Sequence, residues 1–341
     1  MPVLVVVTVA GIAASAAAYK LPRGPLRYRD VPVAMVALPV AVATPAAAEE
    51  ATPPATVPAT APAPMPLVRL VSRDPEDLDH PPASVDARLL EATAAGAVPR
   101  VAEDGRNSIS SYAGPGDPVC AEPCVGIVVS GLGLAEEISA RALALPAVVG
   151  LSFSPYAETM EWQARARRAG HEALLDLPLQ PMAYPRDDSG PLTVRVADAA
   201  GVDATLLQVL AKGQGYVALA AEAGAFAAQP AAFAAIAHDL QHRGLGFVEL
   251  GGASLGTVAR SEGLSYVAAQ GPVAAAEDDG SLAALEADAR RLGMVVAFAL
   301  PTPAGLDRLE AWLRTLPDKG LHLAPPSRLL AAASPQQMAR P

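Results

Sequence analysis

The chain has 341 residues, of which 35 are acidic and 25 are lysine or arginine, and its formal net charge is −10. This balance argues against nucleic acid and against an anionic lipid surface as partners, because both attract basic faces. Two cysteines and five histidines exclude a disulfide-rich scaffold and an obvious zinc module. Aromatic residues make up only 4% of the chain, so a conventional core occupies only part of it.

The first 66 residues predict an exported, tethered chain. Residues 2–19 carry no charged side chain and are long enough to cross a bilayer as a helix, so 1–19 is predicted to be a signal anchor or signal peptide. Residues 20–66 hold a basic cluster, a second apolar stretch with a signal-peptidase-like end, and a Pro- and Ala-rich linker. The expected location is periplasmic or extracytoplasmic, tethered to the inner membrane or secreted. A disordered tail on a cytosolic protein is the alternative.

Residues 67–118 are predicted to form an ordered arm with a helix over 85–94, and residues 334–341 a tail. Cys120 and Cys124 enclose three residues just before the first predicted strand. This spacing is compatible with a disulfide and with two free thiols.

Residues 119–333 alternate short β-branched runs with amphipathic segments, which is typical of parallel strands joined by helices. The predicted strands are 126–130, 148–153, 173–177, 216–220, 246–250, 265–268, 294–299 and 321–324. The predicted helices are 135–145, 159–169, 203–212, 230–243, 281–292 and 305–315. The order predicts an α/β fold with an incomplete or distorted (β/α) barrel, since a complete one typically needs ~250 residues. An open doubly wound sheet is the alternative, and in both folds a site lies at the carboxyl ends of the strands.

Four runs in this region resemble the divergent polysaccharide deacetylases of bacteria. They are 126–134 (GIVVSGLGL), 151–157 (LSFSPYA), 169–181 (AGHEALLDLPLQP) and 184–193 (YPRDDSGPLT). The resemblance extends over residues 89–330. It implies a barrel of the polysaccharide deacetylase type, a membrane segment before it, an extracytoplasmic setting and a carbohydrate ligand.

The resemblance also implies metal-dependent deacetylation, which needs a cation, a carboxylate base and a histidine acid. The family pattern has an Asp-Asp pair after the first strand, where this chain has Ser130 and Gly131. It has histidines at two later positions, where this chain has Glu222 and Leu300. The base, one metal ligand and the acid are therefore missing, and the resemblance implies a pseudoenzyme.

Three carboxylates are candidate metal ligands, because Asp176, Glu222 and Glu249 each end a different predicted strand. Converging carboxylates repel one another unless they bind a hard cation, share a proton or meet a base. The alternative is that they face solvent or cap a helix. We expect no cofactor, with a divalent cation on these carboxylates as the other hypothesis.

The loop over 177–191 carries the candidate substrate-binding residues Tyr184, Asp187 and Asp188, since the resemblance places sugar against it. An exposed tyrosine can stack on a pyranose ring, although an ordinary turn tyrosine is the alternative. His238 and His242 have zinc-like spacing but fall on the polar face of their predicted helix.

The leading functional hypothesis is a catalytically inactive, membrane-tethered envelope protein whose barrel binds glycan or an envelope protein. One alternative is an active metal-dependent hydrolase that removes acetyl groups from envelope glycan. Another is a structural envelope component without a ligand.

Overall fold

The computed structural model describes residues 84–114, 123–197, 203–275 and 280–332. The predicted segments 1–19, 20–66 and 334–341 lie outside these residues, as does Cys120. Within the described ranges, none of the helices combines the length and the apolar character that crossing a membrane requires. Cys124 is disulfide-bonded, and the chain holds one other cysteine.

The helix predicted over 85–94 in the arm is wrong. A single 3₁₀ turn at Ala87–Leu89 leads into an antiparallel hairpin of β1 (Leu90–Thr93) and β2 (Gly96–Pro99). The Oγ1 of Thr93 donates to the carbonyl oxygen of Gly96 over 2.8 Å, and Gly96 has a φ of +129°, which only glycine adopts readily. The turn chemistry therefore overrides the helical pattern. A short helix, α1 (Ser108–Ser111), follows the hairpin.

Seven parallel strands form a closed barrel. They are β3 (Cys124–Leu132), β4 (Gly150–Phe153), β5 (Ala173–Asp176), β6 (Ala218–Glu222), β7 (Gly246–Leu250), β8 (Tyr266–Gln270) and β9 (Met294–Ala299). Each strand pairs with the next, and β9 returns to pair with β3 over six residues, from Cys124 and Met294 to Val129 and Ala299. Closure confirms a parallel barrel and excludes the open doubly wound sheet. It has one strand fewer than the eight of a complete (β/α) barrel.

Helices follow most of the strands and surround the barrel. They are α2 (Glu136–Ala142), α3 (Thr159–Arg168), α4 (Asp203–Leu210), α5 (Ala234–His242), α6 (Gly256–Ser261), α7 (Ser281–Leu292), α8 (Pro303–Leu313) and α9 (Pro326–Ala332). Short 3₁₀ turns lie at Gly224–Ala227, Pro230–Phe233 and Pro317–Lys319, and a two-residue strand, β10 (His322–Leu323), pairs with the start of β3. The helices α6 and α9 were not predicted, since each is too short to show helical periodicity.

Alternating residues of each strand face two separate apolar layers. In β3, for example, Ile127 packs into the layer beneath the helices, whereas Val128 belongs to the layer inside the barrel. In β7 the corresponding residues are Phe247 and Val248. Because the side-chain period of a strand is two, this register decides which strand-end residues point into the barrel.

The last helix, α9, closes the amino-terminal end of the barrel. Its side chains occupy space that inward-facing glycines leave open at the starts of three strands. A Cβ on Gly126 would overlap Leu329, and one on Gly246 would overlap Leu330. Leu329 and Leu330 are both fully buried. The absence of side chains at these glycines is therefore what admits the helix.

A buried carboxylate joins the arm to this closing helix. Glu172 accepts hydrogen bonds from the backbone N–H of Gly114 at 2.6 Å and of Ser327 at 2.7 Å, and also from the Ser327 hydroxyl. Burial raises the pKa of Glu172, although these donors act in the opposite direction. Glu172, the residue before β5, thus holds together two segments that are remote in sequence.

Candidate functional site

Asp176 lies at the carboxyl end of β5, inside the barrel mouth, and accepts hydrogen bonds from the ends of two neighbouring strands. Its Oδ1 accepts from the hydroxyl of Ser130 on β3 at 2.9 Å and from the hydroxyl of Ser152 on β4 at 2.5 Å. Its Oδ2 accepts from the backbone N–H of Gly131 at 3.0 Å. The alternating register turns the side chains of Ser130 and Ser152 inward, and the N–H of Gly131 becomes available where the β3–β4 pairing shifts register between Val129 and Leu132. Both oxygens of the carboxylate are therefore engaged by the chain itself.

Burial raises the pKa of Asp176, and the hydrogen bonds from Ser152, Ser130 and Gly131 lower it in part. Ser130 and Gly131, which occupy the positions of the Asp-Asp pair in the family pattern, are thus both donors to this carboxylate. Sequence reasoning missed Ser152. It lies two residues after Gly150, whose missing side chain makes room for Pro326 of α9, so both positions face the barrel interior.

Glu249 points away from the barrel interior, and this corrects the prediction that it joins a three-carboxylate site. Its neighbours in β7, Val248 and Leu250, both belong to the inner layer. The Glu249 carboxylate is fully buried and accepts from the Tyr266 hydroxyl at 2.6 Å, from Ser254 at 2.8 Å (N–H) and 2.7 Å (hydroxyl), and from the Leu255 N–H at 2.9 Å. It therefore holds the loop that leads into α6. Burial and the adjacent Glu249 raise the pKa of Tyr266 well above its usual value.

Glu222 ends β6 with its side chain exposed at the mouth, where it lines a cavity of about 410 Å³. The other wall is the loop after β5, which contributes aliphatic side chains, including Leu179 and Met182, and the polar Asp187 and Ser189. The loop is tied to the strand end because the N–H of Ala225 donates to the carbonyl oxygen of Gln180 over 2.8 Å. This "mouth cavity" combines apolar walls with two carboxylates.

Of the three predicted substrate-binding residues, only Asp187 lines the mouth cavity. The guanidinium of Arg195 lies 5.1 Å from the ring centroid of Tyr184, so one face of this ring is already covered. Asp188 accepts from the N–H of Gly190 at 3.0 Å and from the hydroxyl of Thr193 at 3.3 Å, which makes it a turn residue. Tyr184 and Asp188 therefore shape the loop and do not face the cavity.

The side chains at the mouth do not fit a catalytic metal centre. The described ranges contain no group of three or more His, Cys, Asp or Glu side chains that could hold a metal ion. His238 and His242 lie exposed on α5, outside the barrel, as their polar-face position predicts. His171 is buried between the carbonyl oxygens of Val149 and Leu143, at 2.9 and 3.2 Å. Without imidazole ligands, the zinc site of three protein ligands and a water has no counterpart in this part of the chain.

Residues 127–330 match a family model described as divergent polysaccharide deacetylase. A solved structure of an uncharacterized protein from Agrobacterium tumefaciens C58 is 29% identical, with a TM-score of 0.62, over 68% of this chain and 98% of that one. A putative cellobiose-phosphate cleavage protein from Enterococcus faecalis V583 is 10% identical, with a TM-score of 0.45, over 62% of this chain and 100% of that one.

A more remote likeness is to a mutant of a CE4 family pseudoenzyme with restored enzymatic activity. It is 11% identical, with a TM-score of 0.30, over 61% of this chain and 68% of that one. None of the curated proteins matches the chain.

Proposed function

The chain belongs to the divergent polysaccharide deacetylase family, and within it we propose a catalytically inactive member that binds glycan in the mouth cavity. The observation that carries the loss of catalysis is the set of hydrogen bonds around Asp176. Ser130, Ser152 and Gly131 supply donors to both oxygens of this carboxylate. The Asp176 carboxylate is therefore already hydrogen-bonded within the protein. A substrate water or a cation could bind it only by displacing these donors.

Amide hydrolysis also needs a group that protonates the leaving amine. Leu300 stands at the position where the family pattern has a histidine, and it is 48% exposed at the mouth. An aliphatic side chain there holds no proton to transfer. Within the described residues, Glu222 and Asp187 belong to no group of three or more His, Cys, Asp or Glu side chains that could hold a metal ion. The absence of a histidine acid at position 300 and of a three-residue ligand group in the described residues supports an inactive member, because the reaction requires an acid and a metal-activated water.

The mouth cavity supports binding of a sugar. Pyranoses present apolar C–H faces and hydroxyl donors, and the cavity offers aliphatic walls beside the acceptor oxygens of Asp187 and Glu222. Carboxylates form charge-assisted hydrogen bonds with hydroxyl and ammonium groups. They also repel anionic groups, so the ligand that fits is a neutral or amino sugar. The proposed setting is extracytoplasmic, which the apolar segments of the amino terminus support.

The experiment is calorimetric titration of the purified chain with chito-oligosaccharides, acetylated and deacetylated, together with an assay of released acetate. We expect binding without turnover. Glu222→Gln and Asp187→Asn each remove a charged acceptor and should weaken binding about tenfold, the equivalent of ~1.4 kcal/mol. Glu103→Gln removes an exposed carboxylate on the arm and serves as the matched control. Acetate release abolished by Glu222→Gln would establish an active hydrolase instead, and no binding of any oligosaccharide would favour a structural role.

A further inference from the structure

The exposed apolar side chains of the described residues gather at one end of the molecule. Seven large apolar side chains are exposed in the described residues, and five of them follow the carboxyl ends of barrel strands. These five are Leu134, Tyr156, Met160, Met182 and Leu300, with exposed fractions from 42% to 66%. Scattered exposed apolar residues need no explanation, but a gathering of this kind marks an interaction surface. Met182 belongs to the mouth cavity, and the other four form what we call the mouth arc.

The mouth arc is continuous because its loops touch one another. Leu300 follows β9, Leu134 follows β3, and Tyr156 and Met160 follow β4, so the arc spans three adjacent strands. The loop after β3 packs against that after β4, where a Cβ on Gly133 would lie 2.7 Å from the Cβ of Ala157. These apolar side chains therefore belong to a single surface.

Acidic side chains accompany the mouth arc. Glu136 and Glu137 begin α2, and Glu158 and Glu161 lie at the start of α3, all four exposed. None of the four forms an ion pair with another described residue. The arginines on the neighbouring loop are already engaged, Arg186 by Asp187 at 3.4 Å and Arg195 by the ring of Tyr184. The arc thus presents apolar side chains edged by unpaired negative charge.

We propose that the mouth arc docks a basic amphipathic segment of a partner protein. Such a segment places aliphatic or aromatic side chains on Leu134, Tyr156 and Met160, and its lysines or arginines face the four glutamates. The charge disfavours the other occupants. A second copy of the chain would bring the same acidic edge against itself, and an anionic lipid surface would be repelled.

This surface adjoins the mouth cavity, because the N–H of Leu192 donates to the hydroxyl of Tyr156 at 3.1 Å. The carboxylates of the cavity lie elsewhere, Glu222 at the end of β6 and Asp187 on the loop after β5. A partner on the arc and a sugar in the cavity are therefore separable by mutation. Variants of the arc should retain oligosaccharide binding, and variants of the cavity should retain binding of the partner segment.

The probe is a fluorescein-labelled peptide of roughly five helical turns, with leucines on one face and lysines on the other. Its fluorescence anisotropy is followed on titration with the purified full chain. We expect Leu134→Ser with Met160→Ser, and separately Glu137→Gln with Glu158→Gln, to weaken binding about tenfold each. The matched control is Leu292→Ser with Glu103→Gln, which removes an exposed leucine and an exposed carboxylate away from the mouth.

Several outcomes would overturn the proposal. One is equal weakening by the control and arc variants, which would reduce the interaction to the net charge of the chain. Another is equal binding of a peptide with glutamate in place of lysine, and a third is no binding by the wild-type chain. Self-association or anionic-vesicle binding that is lost in the Leu134→Ser, Met160→Ser variant would assign the arc to a second copy or to lipid. The thermal midpoint of the serine and glutamine variants should stay unchanged, because Leu134, Met160, Glu137 and Glu158 are exposed. A benzophenone at Leu134, but not one at Val101, should label the peptide.

Discussion

The hydroxyl of Tyr266 donates to Oε2 of Glu249 over 2.6 Å in a buried part of the barrel wall. Glu249 lies one strand away from Glu222, whose carboxylate is exposed at the mouth. Two glutamates at the ends of adjacent strands thus have opposite surroundings, because one faces the helices and the other faces the mouth.

This contrast predicts different effects of the same substitution. Glu249→Ala should lower the free energy of unfolding by about 3 kcal/mol, since it leaves Tyr266, Ser254 and Leu255 with unsatisfied donors. Glu222→Ala should change it by less than ~0.5 kcal/mol and should weaken sugar binding. Urea unfolding of both variants measures this. Equal stability losses would mean that Glu249 does not anchor the loop before α6.

The second prediction concerns the pH dependence that Asp176 confers. Burial raises its pKa in the folded state, so the ionised form is disfavoured there relative to the unfolded chain. Its contribution to stability is then fully present below the unfolded pKa and is lost as the pH rises through the raised folded pKa. Asn does not titrate. Asp176→Asn should therefore gain in stability relative to the wild type between pH 4 and pH 8, in urea unfolding measured across ~4 pH units.

A constant difference between the two proteins over this range would contradict the raised pKa. A difference that moves in the other direction would mean that the donors Ser130 and Ser152 outweigh burial.

The third prediction tests the fit between Gly126 and Leu329. Gly126→Ala should cost about 1–3 kcal/mol of unfolding free energy, because the added methyl overlaps the buried leucine. Leu329→Ala should cost about 2–5 kcal/mol through the cavity it leaves. The double variant should cost less than the sum, because the alanine methyl fills part of this cavity. Strict additivity in a double-mutant cycle would show that a side chain at position 126 does not contact Leu329.

The fourth prediction is that zinc, calcium, magnesium and manganese leave the thermal midpoint of the purified chain unchanged. A ligand that binds the folded state raises this midpoint, and the carboxylates Asp176 and Glu249 are already saturated by donors of the chain. A rise that Asp176→Asn or Glu222→Gln abolishes would establish a cation site at the mouth.

The fifth prediction concerns location. The apolar segments and the Pro-rich linker of the first 66 residues predict that the rest of the chain leaves the cytoplasm. A reporter that is active only after export should therefore be active when fused after Pro118. Activity of a reporter that works only in the cytoplasm, at the same position, would contradict the export hypothesis.

Much of the barrel could be predicted from the sequence because its strands are short apolar runs bounded by glycine. The bounds of Gly246–Leu250, Met294–Ala299 and Ser281–Leu292 were predicted to the residue. The helix Ser281–Leu292 is followed by Gly293, which has a φ of +81° and caps it. The predicted helix over 85–94 failed because the pattern of apolar residues does not show where the chain reverses at Gly96.

The site was harder to predict, because the end of a strand can be read from the sequence but the direction of its side chains cannot. Phe247, Val248 and Leu250 are all apolar, so β7 shows no alternation that would assign Glu249 to one face. The donor role of Ser152 likewise depends on the register between β4 and β5, where it pairs with Leu174. These relationships arise only when the sheet closes.

The closing helix α9 has a consequence for the order of events during synthesis. Ser327 follows Glu172 by 155 residues, yet both belong to the same buried contact. The amino-terminal end of the barrel therefore stays open until almost all of the described chain has left the ribosome. Formation of contacts between residues so distant in sequence is slow. If the chain crosses a membrane during or soon after synthesis, it passes through the translocation channel before its core is complete and finishes folding on the other side of the membrane.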